Sequence, residues 1–307
     1  MSDAARAPTV GRFAPSPTGP LHFGSLVAAL ASFCDARAAG GRWLVRIEDV
    51  DEPRAVAGAE RDILDTLARY GFAADGPIVR QSDRGALYAQ AIAALAARGL
   101  AYPCACTRRE LEAAPLSSTG ERVYPGTCRH GIPADRAARV RRSIRVRVDD
   151  AVVGFVDRLQ GPQRQDLARE VGDFVVRRSD GLAAYQLAVV VDDAEQRVTH
   201  VVRGADLLAS TPRQIHVQRA LGLATPAYLH VPIAINASGE KLSKQTRARA
   251  LPDDPLPALV AAWRFLDQPD GEPATLADFW AHAFSSWSPA RLPPVTMLPA
   301  PRMALAV

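Results

Sequence analysis

The sequence predicts an α/β protein in which a parallel sheet is covered by helices on both faces. Val10 to Ala14 and Trp43 to Ile47 are short apolar runs of the kind that form buried strands. Residues 59–70 and 85–98 have the apolar spacing of amphipathic helices, and each is followed by a glycine that ends it. These strands and helices alternate along the chain, which is typical of crossover connections between parallel strands.

The stretch from Gly11 to Ser25 joins the first strand to the first helix. Its prolines and glycines exclude a regular element and leave a preset loop. In the helix that follows, Leu26, Leu30 and Phe33 form an apolar face, and Gly40 ends it. A helix N-terminus therefore comes directly after a rigid loop, an arrangement that suits a phosphate group.

His22, Gly24 and Ser25 lie at that helix N-terminus. Its unpaired N–H groups and its dipole attract an anion, and Gly24 allows a ligand to approach the backbone closely. His22 would donate to a phosphoryl oxygen and stabilise the charge that develops there. A structural loop with a capping histidine explains the same residues without any ligand.

Acidic residues directly follow the strand Trp43 to Ile47, at Glu48, Asp49 and Asp51. Ligands of open parallel sheets bind at the carboxyl ends of the strands. One of these carboxylates would therefore bind a substrate ammonium group. The alternative is a solvated acidic turn.

The composition is that of an ordinary globular protein, with 48% hydrophobic and 23% charged residues. The formal net charge of +4 and the pI near 9.1 permit a nucleic-acid partner without requiring one. The N-terminus has no apolar export segment, and no apolar run approaches the length of a membrane span. We expect a cytoplasmic protein with no membrane partner.

Three of the four cysteines lie close together in the sequence, at Cys104, Cys106 and Cys128. Three thiolates suit Zn²⁺, which takes four ligands in structural sites. The fourth ligand is left open among Tyr124, His130 and Cys34. General chemistry favours His130, and Cys34 is expected in the core of the first helix. Three reduced thiols without a metal are the alternative.

Residues 101–172 differ in character from the rest and are expected to form a small inserted α+β domain. Ser143 to Val148 alternates with period two, which predicts a half-exposed strand with arginines on its outer face, and Val152 to Val156 is the expected partner strand. Arginine is frequent here, so the insertion would contact a phosphate backbone. A solvated basic face explains the arginines equally well.

Further elements are expected after the insertion. They are a hairpin-like pair of strands (Phe174 to Arg178 and Ala184 to Val191), strands at Val198 to Val202 and Leu229 to Ile235, a turn at Asn236 to Gly239, and helices at Thr211 to Leu221, Pro257 to Leu266 and Leu276 to Phe284. Thr211 and Gln214 have the spacing of a capping box.

The sequence contains only two lysines, Lys241 and Lys244, in one turn-like loop. Its other cationic residues, histidine aside, are arginines. The lysine ammonium is a compact charge on a flexible stem that can follow a phosphate as its geometry changes, whereas guanidinium is a rigid fork. The pair therefore indicates a phosphate-binding loop. Coincidence on an exposed loop is the alternative.

Two distant motifs resemble the paired signatures of class I aminoacyl-tRNA synthetases. They are His22-Phe-Gly-Ser25, after Pro-Ser-Pro-Thr-Gly, and Lys241-Leu-Ser-Lys-Gln245. Ser25 and Gln245 depart from the usual form of these signatures. Arg12-Phe-Ala-Pro-Ser16, Glu48-Asp-x-Asp51, Tyr185 and Arg203-Gly-x-Asp-Leu207 resemble the glutamyl subgroup.

This resemblance implies a domain organisation and a set of site residues. Residues 1–100 and 173–250 would form the two halves of a Rossmann-like catalytic domain around the insertion 101–172, and 251–307 would be a short helical segment in place of an anticodon-binding domain. The implied catalytic residues are His22, Lys241 and Lys244. ATP, with Mg²⁺, would contact His22, Gly24, Ser25, Lys241, Ser243 and Lys244. Glutamate would contact Arg12, Phe13, Ala14, Pro15, Ser16, Glu48, Tyr185 and Arg203.

The short C-terminal part, the Lys-Leu-Ser-Lys-Gln form and the Cys-x-Cys…Tyr-x-x-x-Cys pattern resemble the glutamyl-Q tRNA(Asp) synthetase family. That family implies Tyr124 rather than His130 as the fourth ligand of one structural zinc, beside Cys104, Cys106 and Cys128. It also implies ATP-dependent activation of L-glutamate without tRNA, and transfer to queuosine at the wobble position of tRNA(Asp). We expect a monomer.

Two other functions stay open from the sequence alone. A truncated glutamyl-tRNA synthetase would charge a tRNA 3′ end, and an inactive zinc-bearing module would only bind RNA. The intact His22, Glu48 and Arg203 and the two lysines argue against the inactive module.

Overall fold

The computed structural model describes residues 8–50, 55–117, 120–149, 152–242 and 249–304. The strands are β1 (Val10–Phe13), β2 (Arg42–Ile47), β3 (Val79–Arg80), β4 (Ala101–Cys104), β5 (Ser143–Val146), β6 (Val152–Asp157), β7 (Gly161–Asp166), β8 (Phe174–Arg177), β9 (His200–Gly204), β10 (Ala227–Val231), β11 (Ile233–Ile235) and β12 (Met297–Pro299). The helices are α1 (Phe23–Ala38), α2 (Ala59–Arg69), α3 (Gly85–Ala97), α4 (Arg108–Glu112), α5 (Leu167–Glu170), α6 (Tyr185–Glu195), α7 (Thr211–Leu221), α8 (Pro255–Phe265) and α9 (Leu276–Ser286).

Parallel strands form the centre of the molecule. β1, β2 and β3 pair in parallel, and so do β9 and β10. The Thr199 amide donates to the Val10 carbonyl at 2.9 Å, so β9 lies beside β1 and joins the two groups. The carboxyl ends of β1, β2, β9 and β10 therefore lie along one edge, as the sequence predicted for a parallel sheet.

Each face of these strands packs against its own set of helices. Trp43, Val45 and Ile47 belong to the core formed with α1, α2, α8 and α9. Leu44, the residue between the first two, belongs to the core formed with α3, α6 and α7. Because successive strand residues point to opposite faces, this alternation confirms the prediction of helices on both sides.

The region predicted as an insertion contains antiparallel strands. β5 pairs with β4 and with β8, and β6 pairs with β7 as a separate ribbon. The expected pairing of 152–156 with the Ser143 strand is therefore wrong. The prediction that Arg145 lies on an exposed face is also wrong. Arg145 is buried, and its guanidinium packs over the Tyr124 ring and donates to the Asp173 carbonyl.

Residues 185–195 form a helix, so the predicted strand at 184–191 and its hairpin with Phe174 to Arg178 are wrong. The run Leu187 to Asp193 is buried throughout. A continuously buried run of β-branched residues fits a buried strand and a buried helix equally well, and only its neighbours decide between them. Here α6 packs between α3 and α7 in the second core.

Two smaller predictions also fail. Thr211 is the first helical residue of α7 rather than its N-cap, and the side chains of Thr211 and Gln214 accept from Arg203 instead of forming a capping box. The predicted strand Leu229 to Ile235 is interrupted at Pro232, which has no N–H to donate to a ladder. Its second half, β11, pairs with β12 near the C-terminus.

The C-terminal helices share the first core instead of forming one of their own. Trp263, Phe279 and Trp280 are buried in it, and Phe33 of α1 makes edge contacts with the rings of Trp280 and Phe284. No helix in the described part of the chain is long and apolar enough to cross a membrane.

We predict that Gly71→Ala destabilises the protein by about 1–3 kcal/mol more than Gly58→Ala. Both glycines have φ of +79°, so an alanine at either position costs about the same in backbone strain. A Cβ at Gly71 would lie 2.4 Å from Nε1 of Trp280, whereas none of the described atoms lies within 4 Å of one at Gly58. Urea unfolding of the two variants measures the difference, and equal losses would show that the contact with α9 is not tight.

Candidate active site

A cavity of about 680 Å³ opens at the carboxyl ends of β1, β2, β9 and β10. Predicted site residues from separate parts of the chain line it: Arg12, Phe13, Ala14, Pro15, Ser16, His22, Gly24, Ser25, Glu48, Tyr185, Arg203 and Lys241. Ser243 and Lys244 lie outside the described residues. The fold thus brings the His22 loop and the start of the lysine segment, far apart in sequence, to one cleft.

His22 lies at the N-terminal end of α1, where its position is fixed by its own helix and by a distant segment. Its Nδ1 accepts from the Ser25 amide at 3.4 Å, and its backbone forms an antiparallel bridge with Ala250. A Cβ at Gly24 would lie 3.1 Å from the His22 ring and 3.7 Å from the Leu242 carbonyl. Gly24 therefore allows the helix end, the imidazole and the lysine segment to meet.

Lys241 follows the predicted turn at Asn236 to Gly239, which the structure confirms. Its ammonium pairs with the carboxylate of Asp206, which also lines the cavity. A side chain at Gly204 would clash with Asp206, since a Cβ there would lie 2.5 Å from its Oδ1. Asp206 is a site residue whose role the sequence did not indicate.

Glu48 lies at the end of β2 and belongs to a buried network of charges. The guanidinium of Arg46, which is fully buried, is 3.3 Å from Glu48, 2.8 Å from Asp193 and 3.7 Å from Asp192. Arg12 on β1 also contacts Asp193, at 3.4 Å. Burial raises the pKa of Glu48, and the positive charges of Arg46 and Arg12 oppose that rise. The network fixes Glu48 and Arg12 at neighbouring positions on the cavity wall.

This network was not predicted from the sequence. Arg46 interrupts an otherwise apolar strand, which is a signal that could have been used. Asp192 and Asp193 were placed beyond a predicted strand, so nothing suggested that they turn inward. Both are buried because the segment is a helix.

Arg203 at the end of β9 is held by a second buried set of polar groups. Its Nε donates to Nε2 of His230 at 3.0 Å, and one of its terminal nitrogens, Nη2, donates to Thr211 and Gln214 at 2.9 and 2.8 Å. The other terminal nitrogen, Nη1, is buried and has no hydrogen-bond partner among the described residues. Arg203 lines the cavity, and these hydrogen bonds fix the orientation of its guanidinium.

The protonation state of His230 follows from its two neighbours. Arginine can only donate, so Nε2 must accept, and the ring proton lies on Nδ1, which is 2.6 Å from Asp157. Burial lowers the pKa of His230, and its bond to Asp157 only partly opposes this. Burial acts against the charged form of Asp157, but hydrogen bonds from His230 and the Gln160 amide hold its pKa below the ordinary value. A neutral imidazole thus links Asp157 to Arg203.

The clustered cysteines meet a tyrosine away from the cavity. The Sγ atoms of Cys104, Cys106 and Cys128 all lie within 4.8 Å of one another. The Tyr124 hydroxyl is 3.4 Å from Cys104 and 3.8 Å from Cys106. His130 is exposed and lies outside this cluster, and Cys34 is buried in α1.

The spacing of these donors suits zinc. Tetrahedral Zn²⁺ with Zn–S bonds of about 2.3 Å separates its sulfurs by about 3.8 Å. Cys106 and Cys128 are 3.8 Å apart. Burial opposes the thiolate of Cys104, but hydrogen bonds from Tyr124, the Cys106 amide and Arg145 lower its pKa to about 7, whereas burial and the charge of Cys104 raise the pKa of Cys106 to about 11.

Comparison with known proteins identifies the family to which this chain belongs. Residues 9–255 match the family model for tRNA synthetases class I (E and Q), catalytic domain. The chain therefore belongs to the class I aminoacyl-tRNA synthetases of the glutamyl and glutaminyl group.

Curated relatives match over nearly the whole chain. A glutamyl-Q tRNA(Asp) synthetase of Thiobacillus denitrificans is 56% identical over 301 residues, which cover 96% of this chain and 99% of that protein. One of Burkholderia mallei is 60% identical over 287 residues, covering 90% of this chain and 95% of that protein.

Solved structures share the fold. A glutamate tRNA ligase of Elizabethkingia meningosepticum has a TM-score of 0.67 and 29% identity over 77% of this chain and 52% of its own, so the present chain spans about half its length. The glutamate-tRNA synthetase of Elizabethkingia anophelis has a TM-score of 0.78 at 23% identity, covering 94% of this chain and 68% of its own.

We predict that stability falls between about pH 7.5 and 5.5, and that His230→Gln reduces this loss. In the unfolded chain His230 has a pKa near 6.5, so below that pH the unfolded state takes up a proton that the folded state does not. Burial lowers the pKa of His216 too, so His216→Gln should act in the same direction.

Urea unfolding at the two pH values measures this effect, with His130→Gln as the control because His130 is exposed. A pH dependence that is equally steep in the wild type and in both buried-histidine variants would contradict the assignment of a neutral His230.

Proposed function

We propose that this protein activates L-glutamate with ATP, without requiring tRNA, and transfers it to queuosine at the wobble position of tRNA(Asp). One observation carries the proposal: relatives named glutamyl-Q tRNA(Asp) synthetase are 56 to 60% identical over nearly their full lengths. The cavity is lined by cationic groups that suit carboxylates and phosphates and by Glu48, which suits an ammonium group.

Glutamate has two carboxylates and one ammonium group, and the cavity wall has complementary charges. We assign the carboxylates to Arg12 and Arg203, both of which line the cavity. Glu48 and Tyr185 would bind the ammonium group. Phe13, Ala14, Pro15 and Ser16 complete the pocket. Because both arginines are held in place before the substrate enters, little side-chain entropy is lost when the substrate binds.

Activation joins the glutamate α-carboxylate to the α-phosphorus of ATP. A carboxylate oxygen forms the new bond to phosphorus, the bond to the bridging oxygen of the β-phosphate breaks, and pyrophosphate leaves. His22 and Lys241 would stabilise the negative charge that develops on the phosphoryl oxygens, and we assign the same role to Lys244. Gly24, Ser25 and Ser243 would contact the nucleotide, and Mg²⁺ would enter with it.

ATP must displace Asp206 from Lys241 if that lysine is to contact phosphate. The ammonium of Lys241 is already neutralised by this carboxylate within the cavity. The triphosphate carries more negative charge than one carboxylate, so it competes effectively for the same cation.

Transfer moves glutamate from the adenylate to the modified base. A hydroxyl of the queuosine cyclopentenediol attacks the glutamyl carbonyl, the bond to the phosphate oxygen breaks, and AMP leaves. The hydroxyl proton passes to water, so each transfer yields the ester, AMP and one proton.

We also propose that Cys104, Cys106, Tyr124 and Cys128 hold one structural zinc. Their convergence and spacing support this ligand set. Zinc bound there would cross-link the segment 104–106 to the segment 124–128, which are separated in the sequence by residues 107–123.

We predict glutamate-dependent exchange of pyrophosphate into ATP in the absence of RNA, and transfer of labelled glutamate to tRNA(Asp) that contains queuosine. The same tRNA with unmodified guanine should accept none, because it lacks the cyclopentenediol hydroxyl. Labelling of the unmodified tRNA at its 3′ end would instead identify a truncated glutamyl-tRNA synthetase. Loss of exchange without RNA would contradict the first half of the proposal.

We further predict that Arg203→Lys raises the KM for glutamate about 10- to 100-fold, because a charged hydrogen bond contributes roughly 1.5–3 kcal/mol. The KM for ATP should change little. Arg158→Lys is a matched control. Arg158 donates through both terminal nitrogens to the carboxylate of Asp35, and lysine cannot reproduce this paired contact, but Arg158 lines a different cavity. Pyrophosphate exchange measures both constants, and equal effects of the two variants would remove Arg203 from the glutamate pocket.

A further inference from the structure

Two arginines contact the sulfurs of the cysteine cluster. Nε of Arg145 donates to Sγ of Cys104 at 3.4 Å, and Nη1 of Arg136 donates to Sγ of Cys106 at 3.3 Å. Arg145 is 5% exposed, and its guanidinium carbon lies 3.8 Å from the centre of the Tyr124 ring. One cation therefore touches two of the proposed ligands at once, and a second cation touches a third.

Both arginines are held in place by other groups. Nη1 of Arg145 donates to the Asp173 carbonyl at 2.7 Å, and Arg136 pairs with Glu110 at 3.2 Å. Glu110 also accepts from Arg139, so it is itself fixed. The guanidinium groups are thus positioned by the Asp173 carbonyl and by Glu110 of α4, not by the sulfurs alone.

The charge of a filled site explains why cations belong there. Three thiolates and a phenolate carry more negative charge than Zn²⁺ offsets, so the complex is anionic. Binding exchanges the ligand protons for one dication, and the site becomes more negative as it fills. A buried excess of negative charge is costly unless it is compensated. Nearby cations therefore favour the filled site over the empty one, although each repels the metal itself.

We propose that Arg145 and Arg136 compensate the charge of the zinc site and set its affinity, with Arg145 also holding the Tyr124 ring in position. This inference rests on the proposed zinc ligands and is independent of glutamate activation. Groups that contact metal ligands from outside commonly change affinity by about 10- to 100-fold.

The test is the zinc affinity of the purified, zinc-loaded protein, measured by competition with a chromophoric chelator. We expect Arg145→Gln and Arg136→Gln each to weaken zinc binding about 10- to 100-fold. Arg145→Lys should lie between Arg145→Gln and the wild type, because it keeps the charge but loses the planar stack on Tyr124.

Arg147→Gln is the matched control. Arg147 lies two residues from Arg145, stacks 5.0 Å from the Tyr102 ring and donates to the Arg129 carbonyl, so it shares the environment but not the sulfur contact. Its zinc affinity should equal that of the wild type.

Wild-type zinc affinity in both Arg145→Gln and Arg136→Gln would overturn the proposal. An equal loss of affinity in Arg147→Gln would also overturn it, as would a wild-type protein that binds no zinc. Circular dichroism of each variant identifies unfolding. Should Arg145→Gln unfold, the more accessible Arg136→Gln decides the outcome. Pyrophosphate exchange measured on the same samples keeps a failure of this inference distinct from a failure of the proposed function.

Discussion

The arrangement of the cavity depends on the burial of Arg46 among three carboxylates. An isolated guanidinium in the interior would be very costly, so Glu48, Asp192 and Asp193 must all lie close to it. These residues come from β2 and α6, and Arg12 of β1 joins them through Asp193. One electrostatic requirement therefore fixes the relative positions of three elements. It also fixes Arg12 and Glu48, two groups of opposite charge, on the same wall.

Arg203 is held in place by a chain of hydrogen bonds that links it through His230 to Asp157. Asp157 sets the tautomer of His230, and His230 then accepts from Arg203. Thr211 and Gln214 occupy a second nitrogen of the guanidinium, and its third nitrogen, Nη1, is buried without a hydrogen-bond partner among the described residues. Residues behind the cavity wall thus fix the orientation of the guanidinium. Such preorganisation avoids reorganisation when the substrate binds.

What could be predicted from the sequence was local. The loop before His22, the strand that ends at Glu48 and the turn before Lys241 follow from proline, glycine and apolar spacing within a few residues. Arg145 was misplaced because alternation along one strand says nothing of the strands beside it. The helix α6 was missed because a buried apolar run has no period. Asp157 and His230 act through partners distant in sequence, and no local pattern marks them. Asp206 belongs to the motif Arg203-Gly-x-Asp-Leu207, but its pairing with Lys241 could not be predicted from that motif.

The C-terminal segment packs against the elements that border the lysine segment. Leu242 is bonded to Ala234, and beyond the lysine segment Ala250 bridges to His22 while Leu251 donates to Leu21. Tyr70 donates to the Pro252 carbonyl, and α8 and α9 then pack on α1, the helix that His22 begins. Residues 250 and 251 are therefore bound beside the element that carries the imidazole. Because α8 and α9 bury their apolar side chains in the core beneath α1, they stabilise the cleft.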